Sequence, residues 1–481
     1  MNPVMKQTLE RETKLGVDRG FRLPDLPGEP IKPRTFTSTY FDTEDHRLAQ
    51  NGITLRYRTE ARAGVWQLKL PREGARLELE FAGKRIGPPT SLTELLLAHS
   101  RRQPLKPLAS LRTKRTGIRV LGDDGPLADV VMDAVALLDG RRVTHHLYEV
   151  EIELINGSEK DLARIEKPLR EAGARDGDPR PKFFRILGWP PSPISQTPSG
   201  PEPIEQVKAL LHRETSRLLS HDPGTRLGSD PEDLHQMRVA ARRLRAYLRA
   251  AAPMLNPEWA ESLGDELAWL GRMLGFVRDL DVLLSYLNAE RAAFRPPERR
   301  ALQPVINELQ RERMEARDLL LQALKSERYL ALLDRLEAAA QSPVVTGDTV
   351  SLLEITRAEY RKLHRAMRKG GSEASDKALH KIRIKGKRAR YATELAEVSL
   401  GKPATRVIRR IRDLQDLLGE HQDAVVFEQR FRKLLRHSRG KLAAVSLGRL
   451  IERQCERRRK MRAALPAVWS KLDRRAAKLW R

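Results

Sequence analysis

The sequence is poor in cysteine, in aromatic residues and in long apolar runs. Cys455 is its one cysteine, which excludes an intramolecular disulfide framework and a cysteine-based zinc site. Aromatic residues make up only 5% of the chain, whereas a protein that stacks the bases of single-stranded nucleic acid usually offers more aromatic platforms. No apolar run approaches the length of a membrane span, and the first residues form no apolar signal core. We therefore expect a cytoplasmic protein with no membrane partner.

Positive charge is what the sequence has in excess. The formal net charge is +26 over 481 residues, which predicts a polyanionic partner such as nucleic acid, polyphosphate or an anionic surface. Residues 1–190 hold 33 Lys and Arg against 27 Asp and Glu, and the remainder holds 57 against 37. The chain is too long for one ordinary core, so we expect two or more domains, of which the later part is the basic one.

Short segments with alternating apolar and charged residues fill the first 190 residues. They are residues 53–58, 65–70, 76–81 and 148–154, and turn signals separate them. Strands of this kind have one apolar face and one charged face. The charged face either lies in water, as in an open sheet, or lines the lumen of a sheet that closes on itself. A lumen with charges of both signs, including the mid-strand Asp133, would suit an anion bound together with a divalent metal.

The segment Glu10-Arg11-Glu12-Thr13-Lys14 has the same alternation. In a strand, Glu10, Glu12 and Lys14 share one face. Two carboxylates and an ammonium group are costly to bury unless something binds there. Either this face is solvated, or the carboxylates hold a divalent cation while the lysine binds a phosphate.

Six motifs succeed one another between residues 5 and 190. They are Glu10-x-Glu12-x-Lys14, Tyr40-Phe41-Asp42-Thr43, Leu55-Arg56-Tyr57-Arg58, Glu78-x-Glu80, Glu149-x-Glu151-x-Glu153 and Pro181-Lys182-Phe183. In this order they resemble the CYTH domain of the triphosphate tunnel metalloenzymes. The resemblance implies an antiparallel eight-stranded β tunnel that binds a triphosphate together with Mg²⁺ or Mn²⁺. The family includes inorganic, thiamine and RNA triphosphatases and one class of adenylyl cyclases.

The resemblance also implies roles for individual residues, and these residue types fit the chemistry. Hydrolysis of a phosphoanhydride needs charge neutralisation and in-line positioning more than covalent catalysis. The implied metal ligands are Glu10, Glu12, Glu151 and Glu153. The implied phosphate-binding residues are Lys14, Arg56, Arg58, Lys69, Arg112, Arg115 and Lys182. The implied catalytic residues are Glu10, Glu12, Lys14, Glu78 and Glu80, and one carboxylate of the pair 78/80 or of strand 149–153 would orient the attacking water.

A segment rich in proline, serine and glycine, residues 189–203, divides the sequence and should form an extended spacer. The residues before it are strand-like, and the residues after it have the three- and four-residue apolar spacing of helices. We therefore expect a tunnel domain at residues 1–189, a linker at 190–203 and a helical domain at 204–481.

The helical part contains an internal repeat with a period of about 145 residues, so we expect two repeats, at about 204–345 and 346–481. Residues 233–245 recur as 378–390, and Leu-Gly-x-x-x-Asp comes after each copy, at 274–279 and 418–423. On a helix, the basic residues of each copy form one stripe. A single stripe is typical of a solvated face, but two stripes that face each other would repel unless a polyanion lies between them. The first stripe is His235, Arg238, Arg242 and Arg245, and the second is His380, Arg383 and Lys387.

The repeated His-x-x-Arg and the later Leu-Gly-x-x-x-Asp resemble the CHAD domain, a conserved-histidine helical domain. The resemblance implies two helical bundles that bind inorganic polyphosphate through the basic stripes. Together the two halves predict an α+β multidomain protein, with an N-terminal antiparallel eight-stranded β tunnel and a C-terminal all-α duplicated bundle of pseudo-twofold symmetry.

The leading functional hypothesis is an inorganic triphosphatase, dependent on Mg²⁺ or Mn²⁺, whose helical domain binds inorganic polyphosphate in the cytoplasm or at polyphosphate granules. The alternative is a non-catalytic, granule-associated polyphosphate-binding protein. An adenylyl cyclase and a general nucleic-acid binder are less favoured, and we do not expect nucleic acid to be the specific partner.

Overall fold

The structure is a computed structural model that describes residues 5–188 and 202–480, apart from residues 62, 124, 141, 179, 347–350 and 439. The chain divides into two compact units, Met1–Gln196 and Thr197–Arg481. Most of the predicted linker, residues 190–201, lies outside the described residues. The division between strands and helices agrees with the fold class predicted from the sequence.

The first unit is built around one antiparallel sheet, and helices lie between or after its strands in the sequence. The strands are β1 (Met5–Glu10), β2 (Glu12–Gly16), β3 (Gly28–Asp42), β4 (Thr54–Glu60), β5 (Ala63–Arg72), β6 (Ala75–Ala82), β7 (Lys106–Gly122), β8 (Gly125–Asp139), β9 (Arg142–Leu154) and β10 (Arg175–Asp176). The helices are α1 (Arg47–Gln50), α2 (Thr90–Leu95), α3 (Leu97–Ser100), α4 (Glu159–Glu171) and α5 (Lys182–Ile186).

The sheet closes on itself because β1 and β2 are two halves of one strand. The strand order is β1-β6-β5-β4-β3-β7-β8-β9-β2-β10, and only Arg11 separates the first strand from β2. The backbone N–H of Leu154 donates to the carbonyl oxygen of Arg11 at 2.9 Å, which keeps β9 bonded at the interruption. With β1 and β2 counted as one strand and the two-residue β10 set aside, eight strands surround a tunnel.

Strand register decides which side chains face the lumen. Residues directly opposite each other on neighbouring strands share a face. Glu12 pairs with Glu153 and Lys14 with Glu151, so these charges stand side by side. The alternate residue Leu15 faces outward and packs with other apolar residues against α4, a helix that begins at a Ser158 capping box.

Helix α5 packs against apolar residues at one part of the lumen. Tyr40 pairs with Arg56 across β3 and β4, and the ring of Phe183 stacks on Tyr40 with centroids 4.6 Å apart. Phe183 belongs to a buried cluster that also contains Leu111 and Val135. This packing fixes α5 so that Lys182, its first residue, can reach the carboxylates of β8 and β9.

The second unit is helical and repeats its order of elements. Helix α7 packs against both neighbours α6 and α8, α12 packs against α11 and α14, and α7 contacts α12. In the part of the chain that the structure describes, no helix is both long and apolar enough to cross a membrane. The helices are α6 (Pro203–Leu227), α7 (Pro231–Ala250), α8 (Pro257–Arg291), α9 (Pro296–Lys325), α10 (Glu327–Gln341), α11 (Leu352–Gly370), α12 (Asp376–Leu395), α13 (Glu397–Leu400), α14 (Lys402–His437) and α15 (Lys441–Trp480).

The two matching helices α7 and α12 are built alike. The Asp230 side chain accepts from the backbone N–H of Glu232 at the start of α7, and Ser375 accepts from Ala378 at the start of α12. Each helix buries a stripe at the same spacing, which leaves the basic stripe on another face. The buried residues are Leu234, Met237, Ala241 and Leu244 in the first helix and Leu379, Ile382, Gly386 and Ala389 in the second.

Candidate functional site

Two overlapping groups of carboxylates lie in the tunnel. Glu12, Glu151 and Glu153 form one group and Asp133, Glu149 and Glu151 the other, and within each group the carboxylate oxygens lie within 4.8 Å of one another. They come from β2, β8 and β9, whose register brings them together. Such a set of hard oxygen donors fits a divalent cation of the Mg²⁺ or Mn²⁺ type.

Cations neutralise the more buried of these two groups. Lys182 Nζ lies 2.8 Å from Glu149 Oε1 and also contacts Asp133. Arg115 Nη2 donates to Asp133 Oδ2 and to Glu151 Oε2, both at 2.7 Å. Burial raises the pKa of Glu151, but Lys182, Lys14 and Arg115 outweigh it and hold this pKa well below the usual range. The shared carboxylate is therefore ionised and can ligate a cation without first losing a proton.

A separate group of charges lies where β1 meets β6. Lys69 Nζ lies 2.5 Å from Glu10 Oε2 and 2.9 Å from Glu78 Oε2. Burial and a hydrogen bond with Glu78 raise the pKa of Glu10 to about 8. Burial opposes ionisation of Glu78 too, but Lys69 holds its pKa below the usual range. The two carboxyl groups therefore share a proton near neutral pH.

A chain of hydrogen bonds fixes the neighbouring Arg56. Its Nε donates to Gln67 Oε1 at 2.8 Å, and Gln67 Nε2 donates to Glu80 Oε1 at 2.6 Å. The guanidinium also lies 3.4 Å from the Tyr40 hydroxyl. Arg56 is thus held in one orientation before any ligand enters.

Arg58 differs from the paired cations of the tunnel. It forms no ion pair with a described residue, and its buried Nε has no hydrogen-bond partner there. The guanidinium carbon lies 4.3 Å from the centre of the Phe36 ring. Burial, Arg56 and Arg115 lower its pKa to about 10. A half-buried guanidinium that has no ion-pair partner and lies near two other arginines is the electrostatic signature of an anion site.

The structure brings nearly all of the sequence-predicted tunnel residues into one lumen but divides them differently. Glu10 lies with Lys69 and Glu78 rather than with the two carboxylate groups, because β1 pairs with β6 whereas β2 pairs with β9. The residues that reach the lumen or its charged groups are Glu10, Glu12, Lys14, Arg56, Arg58, Lys69, Glu78, Glu80, Arg115, Glu151, Glu153 and Lys182.

Arg112 was wrongly placed by the sequence reasoning. It is exposed, whereas Thr113 and Arg115 are buried. Residues three apart on a strand point to opposite faces, so Arg112 and Arg115 cannot both face the lumen.

Sequence reasoning missed three polar residues of the tunnel and left two others without a role. Gln67 was overlooked although it alternates with Lys69 on one face. Arg185 lies one helical turn after Lys182 and contacts Glu149, and Arg76 Nη1 lies 3.6 Å from Glu12 Oε1. Asp133 and Glu149 could have been assigned to the site from the sequence, because each is an acidic residue on a strand with a charged face. Both are fully buried.

In the helical unit, the Leu-Gly-x-x-x-Asp motif supports the basic stripes. Arg238 Nη1 donates to Asp279 Oδ1 at 2.8 Å. A Cβ atom at Gly275, four residues before that aspartate, would meet the same guanidinium at 3.5 Å. The second copy repeats this, since a Cβ at Gly419 would lie 4.0 Å from Arg383 Nε. Each glycine therefore lies in contact distance of the arginine across the helices, and the aspartate interacts with the same arginine.

The two basic stripes face each other. Burial, together with Arg383, Arg242 and Arg238, lowers the pKa of Lys387 to about 7. Two of these arginines lie on α7 whereas Lys387 lies on α12, so cations of both repeats share one groove. Burial also lowers the pKa of His235, and His380 Nδ1 lies 2.8 Å from Gln422 Oε1.

Comparison with known proteins agrees with this geometry. Residues 8–178 match the family model of the CYTH domain, and residues 209–432 match that of the CHAD domain. The uncharacterized protein Rv2226 of Mycobacterium tuberculosis (strain ATCC 25618 / H37Rv) is 29% identical to the chain over 511 residues, which are 98% of this chain and 97% of that protein.

Two solved structures are each similar to 56% of this chain. PptA from Streptomyces chartreusis is 20% identical, with 99% of that chain covered and a TM-score of 0.46. The CHAD domain from the plant Ricinus communis is 27% identical, with 92% of that chain covered and a TM-score of 0.44. The family matches confirm the resemblance seen in the sequence: the chain consists of a CYTH domain followed by a CHAD domain.

Proposed function

We propose that the tunnel hydrolyses inorganic triphosphate, or a closely related triphosphate, with Mg²⁺ or Mn²⁺. One observation carries the proposal: the same lumen holds a carboxylate cluster within 4.8 Å and a half-buried arginine, Arg58, with no ion-pair partner among the described residues. A polyphosphate anion with a divalent cation needs both kinds of partner at once.

Glu12, Glu151 and Glu153 would hold the metal ion, and Asp133 and Glu149 extend this ligand set. Glu10 is a further proposed catalytic and metal-ligating residue, and it would reach the ion from the neighbouring group with Lys69. The bound metal would supply neutralisation of charge on the phosphate oxygens.

Basic residues of the lumen would bind the phosphates. In the free protein, Lys14 Nζ lies 3.1 Å from Glu12 Oε1 and 3.5 Å from Glu151 Oε1. When a triphosphate enters, phosphate oxygens replace these carboxylates as partners of the lysine, and the carboxylates become free to ligate a cation. The phosphate thus becomes the partner of the lysine and the metal ion becomes the partner of the carboxylates, so neither side of the original ion pair is left buried without a partner. The phosphate-binding set is Lys14, Arg56, Arg58, Lys69, Arg115 and Lys182.

Glu78 and Glu80 are the proposed acids that orient the attacking water. Both side chains face the lumen from β6, and each is held by a partner on β5, Lys69 and Gln67 respectively. In-line attack depends on such positioning.

The helical domain would bind inorganic polyphosphate in the groove between α7 and α12. The proposed binding residues are His235, Arg238, Arg242, Arg245, His380, Arg383 and Lys387. Burial is the main cause of the lowered pKa of Lys387, and repulsion by Arg383, Arg242 and Arg238 adds to it. Binding a long polyanion relieves that repulsion. If polyphosphate binds there, we expect the protein to associate with polyphosphate granules.

The experiment is a phosphate-release screen over inorganic triphosphate, thiamine triphosphate, ATP and long-chain polyphosphate with each metal. We expect inorganic triphosphate to be the best substrate. Glu12→Gln and Glu151→Gln should lower its hydrolysis by about a thousandfold, a loss typical of removed charge stabilisation. Arg112→Gln is the matched control because this exposed arginine shares a strand with Arg115, and it should keep full activity.

A second readout on the same proteins separates the alternatives. The Glu12→Gln protein should bind long-chain polyphosphate normally. Duplex DNA should displace the bound polyphosphate only poorly at fixed ionic strength. Full activity of the Glu12→Gln, Glu151→Gln double variant would overturn the tunnel proposal. Polyphosphate binding with no hydrolysis in the unsubstituted chain would favour the binding-only alternative, and cyclic AMP formed from ATP would favour the cyclase.

A further inference from the structure

The helical unit contains a cavity of about 600 Å³ beside the polyphosphate groove, between α7, α11 and α12. This size is within the range of small-molecule sites. Three of its residues, Arg242, Arg245 and Lys387, also belong to the groove, but the rest of the lining differs in character from a surface built for an inorganic polymer.

One wall of the cavity carries positive charge that Glu359 compensates only in part. Burial, Arg388 and Arg245 lower the pKa of Arg249, which shows that these three guanidinium groups crowd one another. Cations that crowd in this way attract an anion. Five basic lining residues form no ion pair with a described residue: Arg242, Arg245, Arg249, Lys387 and Arg388.

Another wall is apolar. Ala246 and Ala250 contribute from α7, Ile355 and Ala358 from α11, and Ile384 from α12. Ala358 is exposed and Ile384 is 38% exposed, so a ligand could cover both. Inorganic polyphosphate has no apolar surface and gains nothing from this wall, whereas an organic group would gain from burial there.

Hydrogen-bond acceptors and a hydroxyl complete the lining. The acids Glu354 and Glu359 line a cavity whose other charges are positive, and they would repel a ligand made only of phosphate. Carboxylates accept hydrogen bonds from hydroxyl and amino groups. Tyr391, only 2% exposed, also lines the cavity, and its hydroxyl has no hydrogen-bond partner among the described residues.

We propose that this cavity binds a nucleoside di- or triphosphate, with the phosphates on Arg245, Arg249 and Arg388 and the nucleoside against the apolar wall. The sugar hydroxyl and base amino groups then face Glu354, Glu359 and the Tyr391 hydroxyl. The proposal goes beyond triphosphate hydrolysis and polyphosphate storage, and it stands whether or not the tunnel is catalytic.

The test compares ATP with inorganic triphosphate, which carries the same phosphate chain without the nucleoside. Calorimetric titrations use the full chain with Lys14→Ala and Arg56→Ala, so that the tunnel contributes little binding, and with EDTA present. We expect ATP to bind at least tenfold more tightly than inorganic triphosphate.

Substitutions then assign that preference to the cavity. Ala358→Trp fills the apolar wall from an exposed position and should lower the affinity for ATP at least tenfold while leaving inorganic triphosphate unchanged. Ala463→Trp, at an exposed helical alanine of α15 outside the cavity, is the matched control and should change neither. Arg249→Gln should weaken both ligands, whereas Arg300→Gln, which removes one exposed charge elsewhere in the unit, should not.

Equal affinities for ATP and inorganic triphosphate would overturn the proposal, because the cavity would then recognise charge alone, as part of the polyphosphate surface. An ATP preference that survives Ala358→Trp would also overturn it, since the nucleoside would then be bound elsewhere.

Discussion

At the scale of single residues, the charged side chains of the tunnel differ in whether they have a partner of opposite charge. Most are paired, and Arg115 is an example, with hydrogen bonds to Asp133, Glu151 and Glu153. Arg58 is the exception: it rests on the Phe36 ring and is repelled by Arg56 and Arg115. A residue that destabilises the free protein in this way is typically retained for what it binds.

Arg58→Gln should therefore separate stability from activity. The change removes a half-buried charge that has no ion-pair partner among the described residues, so we expect the tunnel unit to gain about 1 kcal/mol, or about 2–4 °C in Tm. Triphosphate hydrolysis should fall about a hundredfold because a phosphate contact is lost. Calorimetric unfolding and phosphate release measure the two effects.

The matched control is Arg56→Gln, which removes an arginine that has hydrogen-bond partners in Gln67 and Tyr40. It should lose both stability and activity. If Arg58→Gln also lowers the Tm, then Arg58 stabilises the fold. The proposal that Arg58 is left without a partner in order to bind phosphate is then refuted.

At the scale of elements, the sequence predicted where strands and stripes lie better than how they are joined. Alternation was enough to find the charged faces of β4, β5, β6 and β9, because a period of two is a local property. The division of Glu10 from Glu12 was not accessible, since it depends on the interruption at Arg11 and on two different partner strands. Arg185 was missed because the motif around Lys182 carries no sign that it begins a helix.

The repeat helices were more predictable because charge spacing on a helix needs no partner strand. The stripes on α7 and α12 result from spacings of three and four residues, and the structure adds that they face each other. The sequence could not predict the lowered pKa of Lys387, because this pKa depends on burial and on residues that are distant in the sequence. Its charged surroundings are Arg383 and Arg390 on its own helix, Arg238 and Arg242 on α7, and Asp423 on α14.

Polyphosphate binding should depend on pH through Lys387. Its pKa is lowered to about 7 in the free protein, and a bound polyanion raises it again. The lysine is therefore already charged below pH 7, and above pH 7 binding must include uptake of a proton, so affinity falls as pH rises. Between pH 6.5 and 8 the expected loss of affinity is about tenfold, if the bound lysine has an ordinary pKa.

Fluorescence titration with labelled polyphosphate at constant ionic strength measures this dependence. In Lys387→Arg the charge is permanent, so the fall should disappear while affinity at pH 6.5 is kept. Lys387→Met should bind weakly at both pH values. An undiminished fall in the arginine variant would assign the titration to another group.

At the scale of the whole molecule, the two domains carry charge in different ways. The tunnel domain sits in the part of the chain with nearly balanced charge, and the helical domain in the part with 57 Lys and Arg against 37 Asp and Glu. The order of the two domains could be predicted from the sequence, because the change from strand to helix periodicity across the proline-rich segment is visible there. Composition could not predict the partner exchange proposed for the tunnel or the crowding of cations in the groove. Both depend on contacts between residues that are far apart in the sequence.

Salt should therefore affect the two anions differently. Polyphosphate would contact about five exposed or half-exposed cations of the groove, and release of its counter-ions predicts a slope of about −3.5 for log affinity against log salt. Raising salt from about 50 to about 200 mM should then weaken binding about a hundredfold. The KM for triphosphate should change by less than about tenfold, because buried charges are screened far less. Arg242→Gln should reduce the polyphosphate slope by about one and leave the KM unchanged. Equal salt dependence of the two ligands would mean that triphosphate is held on the surface and not in the tunnel.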